Sequence, residues 1–136
     1  MSRRSRAREV VLQILYEDDL NPSREMSLSD LFLCRRLGHE DALVEFGRML
    51  LSGVRRNRRE LDELLTKQTA NWTLSRMAVT DRIVLRLGAF EILFTDTPRR
   101  VAINEAVELA KRYGAKQSAQ FVNGILDRFS PERRES

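Results

Sequence analysis

The sequence predicts an all-α fold, because three observations favour helices over strands. Apolar residues recur at intervals of three and four in several segments, which is the spacing of a helix face. Capping residues and turn signals separate these segments, while only six glycines and three prolines occur in 136 residues. No strand-like alternation bounded by turns stands out. We therefore predict about seven helices in two small packed helical bundles.

Three helices are predicted before residue 70. The first runs from about Ser5 to Leu20 and is stopped by Asn21-Pro22. A shorter helix covers about Leu28 to Leu37. One long helix is expected from Glu40 to about Lys67, because its apolar residues stay on a single stripe at about 100° per residue. Asn57 is the polar residue that interrupts this stripe most directly.

The chain is expected to divide at a junction formed by Asn71, Trp72 and Thr73. The next helix is predicted to begin with Thr80 or Asp81 as its N-cap. One domain should thus span residues 1–136, with an N-terminal bundle over about 1–70 and a C-terminal bundle over about 71–130. The remaining residues, 131–136, are expected to form a frayed tail.

Two well-marked helices fill the segment from Val101 to Phe129. Gly114 falls where a left-handed residue would end the first, and Ser118 can cap the second, which Pro131 should stop. Gly124, preceded by Asn123, lies inside that second helix, where glycine costs about 1 kcal/mol relative to alanine. Either a tight packing contact or a closely approaching ligand must offset this loss, and close packing is the leading interpretation.

Composition describes a soluble globular protein, with 42% hydrophobic and 32% charged residues. The net charge is only +4, but most basic residues are arginine, which binds phosphate through two hydrogen bonds and weakly favours a nucleic-acid partner. Cys34 and His39 are the only residues of their types, so neither a disulfide framework nor a Cys/His zinc cluster can form. No signal-peptide-like or membrane-spanning apolar run occurs, so a cytoplasmic location without a membrane partner is expected.

Catalytic motifs are absent from the sequence. There is no P-loop, dinucleotide-binding glycine motif, nucleophile elbow or metal-ligand pair on a helix. Glu105 and Glu108 are close in sequence, but they flank an alanine-rich packing face where capping and ion pairs are the commoner uses. The sequence therefore predicts no catalytic residues, no metal and no cofactor.

A basic arm leads into the first helix and is the first candidate for nucleic-acid contact. Arg3, Arg4, Arg6 and Arg8 lie near a helix N-terminus, where positive charge opposes the helix dipole and favours an external anion. Tyr16 projects about 170° from the centre of the buried stripe, so we expect it to face away from the core. It could stack on a base, or it could pack on a neighbouring element; a solvated face remains the alternative for the arginines.

A second candidate lies at the start of the last helix. Phe121 falls at the edge of the apolar stripe, where partial exposure is expected. Gln117, Ser118 and Gln120 precede or flank it, and polar side chains and free N–H groups at a helix start can hold a phosphate or a base edge. By itself this pattern is a weak signal, because a phenylalanine at the edge of a stripe is more often part of the core.

Two further arginine groups are interpreted more conservatively. The run Arg55, Arg56, Arg58 and Arg59 projects mostly off the apolar stripe of its helix. We interpret it as a solvated face, with additional RNA contact as the alternative. Arg99-Arg100, in the turn before the alanine-rich helix, would widen a basic surface.

Four motifs taken together resemble the NusB family of transcription antitermination factors. They are RRSRAREVVLQILYE, VTDRIVLRLGAFEIL, VAINEAVELAKRYG and FVNGILD. The resemblance spans essentially the whole chain, and VAINEAVELAK followed by FVNG at this spacing is specific to the family. It implies an all-helical fold of two three-helix-type bundles and a function without catalysis.

The resemblance also implies partners. NusB proteins pair with NusE, a small-subunit ribosomal protein, and the heterodimer binds single-stranded boxA RNA in ribosomal RNA leaders. This helps to load a complex that makes RNA polymerase resist termination. A homodimer of the free protein stays open. The alternative is a NusB-like helical RNA-binding accessory module of an rRNA-modifying or ribosome-biogenesis system. The modifying enzymes carry a long cofactor-binding domain after the helical part, so a length of 136 residues leads us to expect the antitermination factor.

The family's RNA-contacting positions fall on residues already singled out. By resemblance, the basic motif corresponds to the four arginines of the arm, and the two aromatic contacts correspond to Tyr16 and Phe121. Asp81 takes an acidic position near the RNA and partner surface, and the resemblance does not separate these two roles. Gln117 stands where relatives often have an acid, which predicts tighter or less selective RNA binding because a repulsive charge is removed.

Overall fold

The computed structural model describes residues 2–23, 25–69 and 74–131 and confirms the all-α fold. These residues form seven α-helices and a 3₁₀ turn over Leu74–Arg76, with no strand among them. The helices are α1 Arg3–Leu20, α2 Leu28–Arg36, α3 Asp41–Arg56, α4 Arg58–Gln68, α5 Val79–Phe94, α6 Arg99–Tyr113 and α7 Ser118–Leu126. Within the described part of the chain, no helix combines the length and apolarity that crossing a membrane requires.

The chain divides into two compact units, residues 1–55 and 56–136. The division falls between Arg55 and Arg56, and not near residue 70 as predicted. The reason is that α4 packs against α5 and so belongs to the second unit. The predicted junction of Asn71, Trp72 and Thr73 lies outside the described residues, as does the part of the predicted tail beyond Pro131.

The first unit is built on α1, whose first turn is stabilised by a capping hydrogen bond. The backbone N–H of Ser5 donates to the hydroxyl oxygen of Ser2 at 3.0 Å, so the helix begins at Arg3, earlier than predicted. The predicted stripe of α1 is buried, and Leu33 of α2 and Leu50 of α3 are fully buried as well. Burial of this apolar surface from water is the main stabilisation of the unit.

The prediction of one long helix between Glu40 and Lys67 is wrong, because the helix breaks at Asn57. This residue has φ −103° and ψ 15° and serves as the N-cap of α4. Asparagine is favoured at caps, since its short polar side chain competes with helical backbone hydrogen bonding. The apolar positions of α3 and α4 keep one phase through the break, so periodicity alone could not reveal it.

The second unit is centred on α5, which is buried over most of its length and contacts α4, α6 and α7. A Cβ atom on Gly88 would lie 2.6 Å from a methyl carbon of Leu126 and 3.2 Å from the Cβ of Ala106. Glycine therefore leaves room for the close approach of α6 and α7 to α5, and an alanine there would force the Leu126 side chain to shift. Arg86, although 4% exposed, donates hydrogen bonds to both carboxylate oxygens of Asp62, at 2.7 and 3.1 Å.

The start of α5 differs from the prediction. The helix begins at Val79 with Ala78 as its cap, so Thr80 and Asp81 both lie within the first turn. The side chain of Arg82 donates to the backbone oxygen of Leu74 at 3.0 Å. This hydrogen bond ties the 3₁₀ turn to α5 and thereby holds the chain that precedes the helix.

The turn between α6 and α7 also corrects two predictions. Gly114 has φ −94° and ψ −172°, so it is extended and not left-handed. Glycine is needed there for space, because a Cβ would lie 2.6 Å from Oγ of Ser118. Ser118 belongs to the first turn of α7 rather than capping it, and its Oγ accepts the backbone N–H of Ala115 at 2.9 Å. The helix then ends at Leu126, before Pro131.

Close packing does not explain the glycine inside α7. Asn123 and Gly124 are both exposed, and a Cβ on Gly124 would meet no atom within 4 Å. The leading interpretation of this pair, a tight packing contact, is therefore wrong. What remains is an exposed glycine in the last turns of a helix, where an alanine would fit without displacing anything.

Candidate nucleic-acid interface

Two arginines of the basic arm share one aromatic ring. The guanidinium carbon of Arg4 lies 4.4 Å from the ring centre of Phe46, and that of Arg8 lies 5.1 Å from it. These are cation–π distances. Arg4 is exposed, whereas Arg8 is only 2% exposed, so one of these two arginines is accessible and the other is buried.

The other two arginines of the arm are exposed and tied to neighbouring elements. Arg3 forms an ion pair with Glu40, and both side chains are largely in solvent. Arg6 donates to the backbone oxygen of Arg36, the last residue of α2, at 3.3 Å. Tyr16, further along α1, is 38% exposed, which confirms that it faces away from the core. Arg3, Arg4, Arg6 and Tyr16 are thus accessible within the first unit.

In the second unit, a cavity of about 210 Å³ opens between the starts of α5 and α7. Its lining combines an aromatic ring, an acid, a cation and two polar side chains. The lining residues are Arg76, Met77, Ala78, Asp81, Ala115, Gln117, Ser118 and Phe121. Three of the predicted site residues, Asp81, Gln117 and Phe121, are therefore brought together.

Asp81 carries an unsatisfied acceptor at this cavity. Its Oδ1 atom is out of contact with solvent and accepts no hydrogen bond from the residues that the structure describes. The N-terminal turn of α5 favours a carboxylate by about 0.3–1 kcal/mol, whereas a buried polar atom without a partner costs about 1–3 kcal/mol. The helix dipole offsets only part of this cost.

Arg76 is the member of the cavity that sequence reasoning missed. Its side chain is exposed and makes no hydrogen bond or ion pair among the described residues. The residue ends the 3₁₀ turn that Arg82 ties to α5. A sequence signal existed, namely an arginine five residues before Asp81 at a helix start, but the spacing alone did not show that they share a cavity.

The predicted residues of α7 occupy one side of its first turns. Phe121 is partly exposed, as expected from its place at the edge of the stripe. Gln117 and Gln120 are exposed, and Gln117 shares the cavity with Phe121, whereas Gln120 does not line it. Ser118 is buried and holds the turn through Ala115, so its part is to position the start of the helix.

Two of the remaining arginines, Arg55 and Arg99, are committed to internal contacts. Arg55 donates to both carboxylate oxygens of Asp18, at 2.8 and 2.9 Å, and to the hydroxyl of Ser29. Its interpretation as part of a solvated face is therefore wrong, while Arg56, Arg58 and Arg59 are exposed. Arg99 donates to the backbone oxygens of Phe129 and Asp127, both at 2.6 Å, which removes it from the predicted basic surface.

The sequence is similar to those of known proteins over nearly the whole chain. The profile of the NusB family matches residues 5–131. A transcription antitermination protein NusB of Anaeromyxobacter dehalogenans is 43% identical, covering 98% of this chain and 96% of that protein.

Solved NusB structures are similar in fold to this chain. The structure of T. maritima NusB has a TM-score of 0.84 and 34% identity and covers 99% of this chain and 97% of its own. A complex of antitermination factors NusB and NusE with double-stranded RNA contains a chain with a TM-score of 0.76 at 23% identity, which shows likeness of fold. With the family profile and the 43% identical relative, these findings show that the chain belongs to the NusB family.

Proposed function

We propose that this protein is an RNA-binding transcription antitermination factor. It pairs with NusE and binds single-stranded boxA RNA of ribosomal RNA operons, so that RNA polymerase resists termination. It acts in the cytoplasm and catalyses no reaction. The observation that carries the proposal is the cavity at the starts of α5 and α7, where Phe121 lies beside Gln117, Asp81 and Arg76 in a member of the NusB family.

The chemistry of this cavity suits single-stranded RNA. Unstacked bases are recognised by stacking on aromatic rings and by hydrogen bonds along their edges, while arginines bind the phosphates. Phe121 supplies a partly exposed ring, Gln117 supplies amide donors and acceptors, and Arg76 supplies an exposed cation. A base paired in a duplex would not present its Watson–Crick edge to these groups.

The first unit contributes a second set of contacts. Tyr16 is proposed as a stacking platform, with Arg3, Arg4 and Arg6 as phosphate-binding residues. Arg8 was predicted as a contact too, but its burial against Phe46 leaves its guanidinium little access to RNA. We assign it to holding Phe46, on which the exposed Arg4 also lies.

NusE is proposed as the protein partner on the strength of family membership. A related NusB chain of similar fold occurs with NusE and double-stranded RNA in one solved complex. In this proposal NusE raises the affinity of the protein for RNA, because the heterodimer offers one larger binding surface.

The experiment compares boxA RNA binding by the wild-type protein with and without NusE, and by Tyr16→Ala and Phe121→Ala variants. Loss of one stacking contact is worth about 1–3 kcal/mol, so each variant should bind at least about fivefold more weakly. Phe32→Ala is the matched control, since Phe32 is exposed to the same 38% as Tyr16 but lies outside the candidate contacts.

Two results would contradict the proposal. If Tyr16→Ala and Phe121→Ala bind boxA RNA as the wild type does, the protein is a scaffold for other proteins. If NusE adds no affinity, the heterodimer mechanism is excluded for this protein. Thermal unfolding of each variant ensures that a weaker affinity does not reflect a loss of folded protein.

A further inference from the structure

We propose that the outer face of α2 is a dimerisation surface, on which a second copy of this chain docks its own α2 in the antiparallel direction. The inference does not depend on RNA binding, because none of the residues proposed to contact RNA lies in α2. It starts from four large apolar side chains that the fold leaves in solvent close to one another in the sequence. They are Met26, Leu28, Leu31 and Phe32, which are between 38% and 59% exposed.

Three of these side chains form an apolar strip along α2. At about 100° per residue, Leu28, Leu31 and Phe32 project within about 100° of one another, so they share one face of the helix. The buried residues of the helix, Ser29 and Leu33, face the core instead. Single exposed apolar residues are ordinary, whereas a contiguous apolar patch rimmed by charged residues is typical of a protein–protein interface.

The aromatic ring of the strip is held in place by a neighbouring cation. The guanidinium carbon of Arg36 lies 5.5 Å from the ring centre of Phe32, one helical turn away, which is a cation–π distance. The backbone oxygen of Arg36 accepts a hydrogen bond from Arg6 at 3.3 Å, which ties this end of α2 to α1. A ring held in this way loses less conformational freedom when a partner covers it.

Exposed charges of opposite sign lie at the two ends of the strip. Glu25 lies just before α2, and Arg35 lies in its last turn. Asp30, between them, is neutralised by Arg48, which donates hydrogen bonds to both of its carboxylate oxygens at 2.6 and 2.9 Å. The strip is therefore acidic at its beginning, apolar in the middle and basic at its end.

This arrangement is complementary to itself in one antiparallel register. Glu25 and Arg35 are centred on position 30 of the sequence, and so are Leu28 and Phe32. A two-fold axis at that position places the acid of each copy beside the arginine of the other. The same axis places Leu28 against the partner's aromatic ring and brings the two copies of Leu31 together. Two-fold interfaces, in which the same patch serves both partners, are the commonest in soluble oligomers.

A second copy of the chain fits the strip better than other occupants do. A uniformly acidic partner, or an anionic membrane, would be repelled by Glu25, and a uniformly basic partner would be repelled by Arg35. The occupant must therefore carry both signs of charge with apolar side chains between them. Helix α2 of a second copy meets this requirement when it runs in the opposite direction.

The small size of the strip predicts a weak dimer. Helix α2 has nine residues and is about 14 Å long, whereas a standard protein–protein interface buries about 800 Å² on each partner. The strip can form only the core of such an interface. We therefore expect the monomer and the dimer to be in equilibrium at micromolar concentrations.

Sedimentation velocity of the full-length protein between about 1 and 200 µM tests the inference. The average mass should rise with concentration from 15.8 kDa toward twice that value. Leu31→Glu brings two carboxylates together at the axis and should raise the dissociation constant of the dimer at least about tenfold. Val101→Glu is the matched control, because Val101 is an aliphatic residue of α6 that is 41% exposed, and it should leave dimerisation unchanged.

An exchange of charges tests the antiparallel register. Glu25→Arg and Arg35→Glu each convert the two attractive charge pairs of the dimer into repulsive pairs, so each variant alone should dimerise about tenfold more weakly. An equimolar mixture of the two variants should dimerise as the wild type does, because each pair across the axis again joins opposite charges. Circular dichroism of every variant verifies that the helices are intact.

Three results would overturn the inference. One is a wild-type protein that keeps the mass of the monomer up to the highest concentration. Another is a dimer that Leu31→Glu does not weaken, since the contact would then lie elsewhere on the chain. The third is a mixture of the two charge variants that associates no more strongly than either variant alone, which would exclude the antiparallel pairing of α2.

Discussion

Gly114 and Ser118 are packed so closely that a Cβ atom on the glycine would lie 2.6 Å from the serine Oγ. The same Oγ accepts the backbone N–H of Ala115, so one hydroxyl fills the space beside Gly114 and holds the turn. Ser118 and Ala115 both line the cavity between the starts of α5 and α7. The shape of the cavity therefore depends on a glycine that does not itself line it.

Gly114→Ala should lower the free energy of unfolding by about 1–3 kcal/mol, because Ser118 and the backbone oxygen of Ala110 would have to move. Chemical denaturation measures this change, and RNA affinity should fall as well. Gly124→Ala is the control: with no atom near its new Cβ, it should stabilise the protein by up to about 1 kcal/mol. Equal effects of the two variants would contradict the packing described here.

Asp62→Asn should destabilise the second unit by about 1–3 kcal/mol, because Arg86, which is 4% exposed, would lose its hydrogen bonds to the two carboxylate oxygens of Asp62. Urea unfolding followed by circular dichroism gives the difference. A double variant with Asp62→Leu and Arg86→Met should regain most of the loss, because an apolar pair needs no hydrogen bonds. A double variant less stable than Asp62→Asn would refute this account.

Arg55→Ala should cost about 2 kcal/mol or more, because Asp18 is only 7% exposed and loses two hydrogen bonds to the guanidinium. RNA affinity of the folded variant should stay at the wild-type value. Arg56→Ala, which changes an exposed neighbour, should leave stability within about 0.5 kcal/mol. A loss of RNA affinity specific to Arg55→Ala, with unchanged stability, would return Arg55 to the candidate RNA contacts.

Gln117→Asp should weaken RNA binding, because it adds a second carboxylate to the cavity that Asp81 already lines. Gln117→Ala removes the amide without adding a charge, so it shows what loss of the amide alone does. If charge repulsion acts, Gln117→Asp should bind RNA more weakly than Gln117→Ala. Fluorescence anisotropy with boxA RNA makes the measurement. Equal affinity of Gln117→Asp and the wild type would overturn the expectation drawn from the sequence.

Asp30 and Arg48 should add a small pH dependence to the stability of the first unit. Arg48 donates hydrogen bonds to both oxygens of Asp30, at 2.6 and 2.9 Å, which lowers the pKa of that carboxyl below its ordinary value. The pair therefore stabilises the fold above about pH 4 and stops doing so as the pH falls through the lowered pKa.

Because both side chains are exposed and solvent screens the pair, its contribution to stability should be small. Unfolding at pH 7 and pH 3 is the measurement. Asp30→Asn should reduce the difference between these two conditions, and an unchanged or larger difference would contradict the sign. Asp41→Asn, another exposed acid of this unit, is the control.

Much of the fold was predictable because helix formation is a local property with a visible period. The buried stripe of α1 and the apolar positions of α5 follow directly from spacing. The break at Asn57 was not predictable in this way, since the stripe continues in phase on both sides of it. Gly114 was recognised as the end of α6, but only the structure shows that it is needed for space beside Ser118.

The candidate site was predictable in part. Tyr16 and Phe121 were singled out from helical projection, and both are accessible. The fate of each arginine could not be foreseen, because it depends on which acid or ring the folded chain places nearby: Arg55 meets Asp18 and Arg8 meets Phe46. Arg76 became a candidate only when the fold brought it to the cavity of Asp81.

The burial of Arg8 on Phe46 has a consequence for the behaviour of the protein in salt. Each phosphate neutralised on a single strand releases counterions and adds about −0.7 to the slope of log K against log salt concentration. Four free arginines in the arm would contribute about −2.8, whereas the three exposed ones contribute at most about −2.1. The arm thus loses one direct phosphate contact, and its contribution to RNA affinity is correspondingly less sensitive to ionic strength.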